Sequence, residues 1–135
     1  MSSLSDKTIL VVDDDKDTLN YIADIISIMD KITVYTASCG SEAIKILEER
    51  IGGVNLLLSD VVMPGMSGIE LAKSLVEKFP TTKVILMSGL IQPSLTTENI
   101  VGHENGFIRK PFSGRTLTNH VKRALEELKE RQPTS

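Results

Sequence analysis

The sequence predicts an α/β protein, a five-stranded parallel sheet with helices packed on both faces. Three observations carry that prediction. Short apolar runs alternate with amphipathic segments along the chain, and strict β-α alternation builds parallel sheets through crossover helices. The run Leu56-Leu57-Leu58 is apolar without alternation and is followed by Pro64, Gly65 and Gly68, as expected of a strand buried on both faces. That run carries Asp60 to its carboxyl end, the edge at which open α/β sheets hold ligands.

The elements follow in order. Residues 8–12 form a β-branched run ending in Asp13-Asp14-Asp15. Leu19, Ile22, Ala23, Ile26 and Met29 then recur at helical spacing, with Asp14, Asp15 or Asp17 available as the cap. Residues 32–37 alternate as a strand, and residues 41–50 read as a helix ended by Gly52-Gly53. After the central strand, Ile69, Ala72, Leu75 and Val76 share one face of a helix that Pro80 stops. Residues 83–87 are a fourth strand closed by Ser88-Gly89, and residues 106–110 a fifth, cut off by Pro111. Ser113 caps a last helix with Leu117, Val121, Ala124, Leu125 and Leu128 on one face. Residues 90–105 are polar and broken by Pro93 and Gly102, so the fourth helix is expected to be short or irregular, near 96–101.

Length and composition bound the rest. A chain of 135 residues fits one domain, here residues 8–131, with a flexible start at 1–7 and a frayed tail at 132–135. A net charge of −3 leaves no basic footprint, so no direct contact with nucleic acid is expected. One cysteine, Cys39, cannot make an internal disulfide, and no apolar run suits a signal peptide or a membrane span. The expectation is a cytoplasmic protein.

In a parallel sheet the strand ends meet along one edge, which brings Asp13 and Asp14 opposite Asp60. Carboxylates ~4 Å apart repel by ~4 kcal/mol at an effective dielectric near 20, so three together call for cations. Lys110, after the fifth strand, supplies one positive charge, and Mg²⁺, with Mn²⁺ as a substitute, suits carboxylates, waters and a phosphate oxygen. Ser88 adds a hydroxyl at the fourth strand end. Together these are the parts for phosphoryl transfer onto a carboxylate.

Four segments extend the case: residues 9–15 (Ile-Leu-Val-Val-Asp-Asp-Asp), 58–68 (Leu-Ser-Asp-Val-Val-Met-Pro-Gly-Met-Ser-Gly), 84–89 (Val-Ile-Leu-Met-Ser-Gly) and 107–112 (Phe-Ile-Arg-Lys-Pro-Phe). In this order and spacing the chain resembles a response-regulator receiver domain of two-component signalling. The resemblance implies a flavodoxin-like sheet of order 2-1-3-4-5. It implies that Asp60 takes a phosphoryl group from a phosphohistidine on a histidine kinase or histidine phosphotransfer protein. Asp13, Asp14, Asp60 and the Val62 backbone carbonyl would hold Mg²⁺, and Lys110 would pair with the aspartate or its phosphate. Ser88 and Phe107 would turn inward as the switch, reshaping the face made by the fourth helix, fifth strand and fifth helix for an output protein. Such a domain is not an enzyme toward other substrates, and a monomer or weak dimer is expected. The chain ends soon after the last helix, so a free-standing receiver, a relay intermediate or a domain of a hybrid kinase is expected.

Blander readings stand beside these. Asp15 and Asp17 fit caps or solvated charge better than ligands. Asp13, Asp15, Asp17 and Asp24 fall at EF-hand positions 1, 3, 5 and 12, but Thr18 stands where a glycine is required and the entering element is a strand. Asp15-Lys16-Asp17-Thr18 approaches the D-x-D-x-T motif of dehalogenase-like phosphatases with its threonine one place early. That leaves a small Mg²⁺-dependent phosphohydrolase and a phosphate-independent scaffold as the rival functions. His103 and His120 have no partner at metal-ligand spacing, and His120 is expected at the surface. Three positions depart from the family: Ser88 stands where threonine is commoner, and Val62 and Leu90 are apolar where small polar or acidic residues are common. Val62 and Leu90 are expected to shield the phosphoryl group from water and to slow self-dephosphorylation.

Overall fold

The residues of the first strand decide the layering. Ile9, Leu10, Val11 and Val12 are all fully buried, so β1 (Lys7–Val12) must be covered on both faces. The computed structural model describes residues 6–50, 52–89 and 106–131. In order the elements are β1, α1 (Lys16–Ser27), β2 (Ile32–Ala37), α2 (Gly40–Glu49), β3 (Leu56–Asp60), α3 (Gly68–Lys78), β4 (Lys83–Ser88), β5 (Phe107–Arg109) and α4 (Gly114–Arg131). The five strands are parallel, in the order β2-β1-β3-β4-β5. Leu90, His103, the helix expected near 96–101 and the tail at 132–135 lie outside the described residues.

Alternate residues of each strand feed two cores. On one face Leu10, Val12, Leu57, Val84 and Leu86 meet Ala43 and Leu47 of α2 and Leu71, Ala72 and Leu75 of α3. On the other, Ile9, Val11, Leu56, Leu58, Ile85 and Met87 meet Leu19, Ile22 and Ile26 of α1 and Leu117, Val121 and Ala124 of α4. A one-residue slip would exchange the two sets and force each into a core shaped for the other, so side-chain packing helps fix the register.

Register is also pinned at the far edge. The Asn55 side chain accepts from Thr8 N–H at 2.8 Å, its N–H donates to Thr8 C=O at 2.9 Å, and its C=O accepts from Lys83 N–H at 3.0 Å. Counting forward from Asn55 puts the ends of β1, β3 and β4 side by side at the opposite edge.

The helices start where their caps stand. Asp15, rather than Asp14 or Asp17, caps α1 by accepting from Thr18 N–H. Ser67 and Glu70 form a reciprocal capping box on α3, and Ser113 accepts from Thr116 N–H at the start of α4. Each such cap is worth ~1 kcal/mol. The sequence-based bounds shift slightly: β1 begins at Lys7, α2 runs Gly40–Glu49, and β5 is confined to Phe107–Arg109. No helix among the described residues is long and apolar enough to cross a membrane.

Candidate functional site

Three strand ends build the site. Asp13 and Asp14 follow β1, Asp60 ends β3, and Lys110 follows β5. Asp13 is fully buried and Asp60 is 9% exposed, whereas Asp14 opens to solvent. One carboxylate oxygen from each of the three lies within 4.8 Å of the other two. At that separation each pair repels by roughly 3–4 kcal/mol at an effective dielectric of 20.

Protein groups answer part of this charge. Lys110 Nζ donates to Asp13 Oδ2 at 2.8 Å and stands 3.4 Å from Asp60 Oδ1. The other Asp13 oxygen, Oδ1, accepts from Asp15 N–H at 2.9 Å. Asp60 is less well served. Burial pushes its carboxyl pKa up, Lys110 opposes that shift, and the neighbouring Asp13 and Asp14 charges add to it. For Lys110, burial alone would lower the pKa, but the bond to Asp13 and the charges of Asp13 and Asp60 outweigh it and leave it raised. The lysine therefore stays charged.

Three carboxylates against one ammonium leave an excess of negative charge lined by hard oxygen donors. The donor set fits a small divalent cation such as Mg²⁺, which prefers one or two carboxylates with water or phosphate oxygens completing its shell. A soft metal finds no His or Cys in this cluster.

The other sequence-derived residues fall around this centre. Ser88 ends β4 and is 2% exposed. It stands one residue beyond Met87, the register partner of Asp60, and its C=O accepts from Lys110 N–H at 2.8 Å. Phe107 opens β5 opposite Leu86 and is half-buried against the α2–α3 core. Val62 is 58% exposed, an apolar side chain standing at the rim two residues past Asp60. Leu90 lies outside the described residues. Asp17 sits in the first turn of α1, exposed. His120 departs from the surface placement: it is half-buried, and its Nδ1 is shut from solvent with no hydrogen-bond partner among the described residues.

Two residues that sequence reasoning passed over stand beneath Asp60. Ser59, fully buried, donates its hydroxyl to the Asp60 main-chain carbonyl at 2.9 Å. Gly68, the first residue of α3, packs so closely that a Cβ there would lie 2.0 Å from the same carbonyl oxygen. A serine in an otherwise apolar strand was the available signal for the first. The turn between them depends on Gly65, whose φ of +78° suits a residue without a side chain.

Comparison with known proteins agrees with the fold. The profile of the response regulator receiver domain matches residues 9–122. The chain is 30% identical over 121 residues to the response regulator receiver protein CpdR of Brucella abortus, covering 88% of this chain and 97% of that protein. It is 39% identical over 95 residues to the sensor kinase CckA of the same organism, 70% of this chain but only 10% of the kinase. Among solved structures, a CheY-like receiver domain protein from Methanospirillum hungatei superposes with a TM-score of 0.83 at 29% identity, covering 93% of this chain and 98% of that one.

Proposed function

The chain belongs to the response regulator receiver family of two-component signalling, and from that premise we propose that Asp60 is its phosphoacceptor. The observation that carries this reading is the meeting of Asp13, Asp14 and Asp60 within 4.8 Å under the Lys110 ammonium. An Asp60 carboxylate oxygen attacks the phosphorus of a phosphohistidine on a histidine kinase or histidine phosphotransfer protein. The P–N bond breaks, its electron pair leaves with the imidazole, and an acyl phosphate remains on Asp60.

The chain's own residues hold the charges of this step. Lys110 pairs with an oxygen of the incoming phosphoryl group, and the Ser88 hydroxyl donates to another. Asp13, Asp14, Asp60 and the Val62 backbone carbonyl would hold Mg²⁺, which when bound neutralises carboxylate and phosphoryl charge. Val62, exposed beside the acceptor, covers the product and slows attack by water. The reaction is stoichiometric, one phosphoryl group per domain.

The phosphoryl group adds about −1.5 to −2 charges and three acceptor oxygens. Ser88 turns toward those oxygens and Phe107 moves deeper behind it, altering the face beside β5 and α4. An output protein reads that face.

The test is incubation with Mg²⁺ and acetyl phosphate, comparing wild type with Asp60→Asn. One phosphoryl group per chain in wild type and none in the variant is expected. Sustained turnover of phosphate esters that survives Asp60→Asn would favour a phosphohydrolase, and no modification of either protein a phosphate-independent scaffold.

A further inference from the structure

The peptide that joins Asp60 to Val61 is held from both sides. Val61 N–H donates to Met87 C=O at 2.9 Å, toward β4. In a trans peptide the N–H and C=O point in opposite directions, so the Asp60 carbonyl points the other way, toward β1. The β1–β3 ladder ends there with the pair Val12 and Ser59, one residue short of Asp60. The carbonyl meets two other groups instead. Ser59 Oγ–H donates to it at 2.9 Å, and Gly68 lies against it so closely that only a hydrogen fits. Gly68 N–H in turn donates to Val61 C=O at 2.9 Å.

We propose that the Ser59 hydroxyl, backed by Gly68, is a positioning device for the phosphoacceptor, fixing the Asp60–Val61 peptide so that the carboxylate and the Val62 carbonyl face one cation. The proposal rests on the phosphoacceptor reading of Asp60. Ser59 touches neither phosphoryl group nor cation. It lies on the strand face turned toward α3, sharing parity with Leu57 of the α2–α3 core, and acts through the peptide it holds. Without its hydroxyl the buried carbonyl loses this donor and the peptide can rotate. A rotation there moves the Asp60 side chain and the Val62 carbonyl together, because both are attached through that peptide. Groups that orient metal ligands in this way typically change metal affinity by 10- to 100-fold when removed.

The test compares Ser59→Ala, Ser59→Thr and a remote core truncation, Ile26→Val, in the full chain. Mg²⁺ affinity is measured by calorimetry without phosphodonor, thermal unfolding in chelator, and modification by acetyl phosphate at saturating Mg²⁺. Ser59→Ala is expected to bind Mg²⁺ roughly tenfold more weakly, while Ser59→Thr, which keeps the hydroxyl, and Ile26→Val stay within about twofold of wild type. If Ser59→Ala does not fold, Ser59→Cys, of similar shape and a weaker donor, is expected to show the same loss in smaller measure. Affinity within twofold of wild type in the variants lacking the hydroxyl, or an equal loss in Ile26→Val, would overturn the proposal. Wild type that binds Mg²⁺ but is never modified would overturn the phosphoacceptor reading and leave the affinity comparison to judge the clamp. Wild type that binds no Mg²⁺ would overturn both.

Discussion

Lys110 leans on Asp13: its Nζ is 2.8 Å from Asp13 Oδ2 and 3.4 Å from the nearer oxygen of Asp60. On the proposed reading the lysine occupies a carboxylate that would hold the cation, and the two would compete until a phosphoryl group arrives. Replacing it separates the two roles. Lys110→Met is expected to bind Mg²⁺ about fivefold more tightly, because a positive charge a few ångströms away costs a cation ~1 kcal/mol in a partly solvated site. Its modification by acetyl phosphate should slow at least ~tenfold, as loss of a charge-stabilising donor does. Calorimetry and rapid-quench labelling measure the two, and weaker Mg²⁺ binding would contradict the competition.

Asp60 sets a pH dependence of unusual sign. Its pKa is raised above the ordinary 3.8, first by burial, so between 3.8 and the folded value the native state binds more protons than the unfolded chain. Stability therefore falls as pH rises through that window, and the penalty is complete at neutral pH. Asp60→Asn removes it. In chelator at pH 7 the variant should melt about 3 °C higher, a modest gain because Asp14 leaves this edge open to screening water. The advantage should vanish below pH ~3.8. Thermal scans across pH check this, and an advantage independent of pH would contradict it.

Gly68→Ala sets two effects against each other. Alanine favours a helix over glycine by up to ~1 kcal/mol, but its Cβ would lie 2.0 Å from the Asp60 carbonyl oxygen. Overpacking against backbone costs ~1–3 kcal/mol or more, so the clash wins. Urea unfolding should show a loss of ~1–2 kcal/mol, together with weaker Mg²⁺ binding. Unchanged stability would mean α3 shifts without cost.

Val62 is proposed to set the length of the signal. Its exposed side chain at the rim of the site gives no polar atom to orient water. The phosphorylated protein should hold its label for minutes or longer. Val62→Asn should shorten that lifetime by about tenfold, a modest part of what a positioned proton-handling group can supply. Loss of label from wild type within seconds would contradict this role.

The architecture was legible because burial writes itself into composition. Leu56-Leu57-Leu58, bounded by Pro64, Gly65 and Gly68, reads as a strand buried on both faces, and the elements around it alternate as a parallel sheet requires. Asp13, Asp14, Asp60 and Lys110 were legible for the same reason, since charged residues directly after apolar strands collect at one edge of a parallel sheet. The choice of Asp15 over Asp14 and Asp17 as the cap was not, because three acids in a row satisfy the same pattern and only backbone geometry selects one. Ser59 was hidden inside its strand, where a small hydroxyl residue reads as filler until its partner is seen. Gly68 read as a turn residue, although the contact that demands glycine is with Asp60, eight positions back. The half-burial of His120 is not revealed by helical spacing alone.

The central claim is that Asp60 accepts a phosphoryl group, and the most direct measurement is peptide mapping by mass spectrometry after exposure to Mg²⁺ and acetyl phosphate. The account predicts a single base- and hydroxylamine-labile phosphoryl group on the peptide containing Asp60, abolished by chelator. A phosphoryl group on any other residue, or none on wild-type protein with Mg²⁺ present, would contradict it.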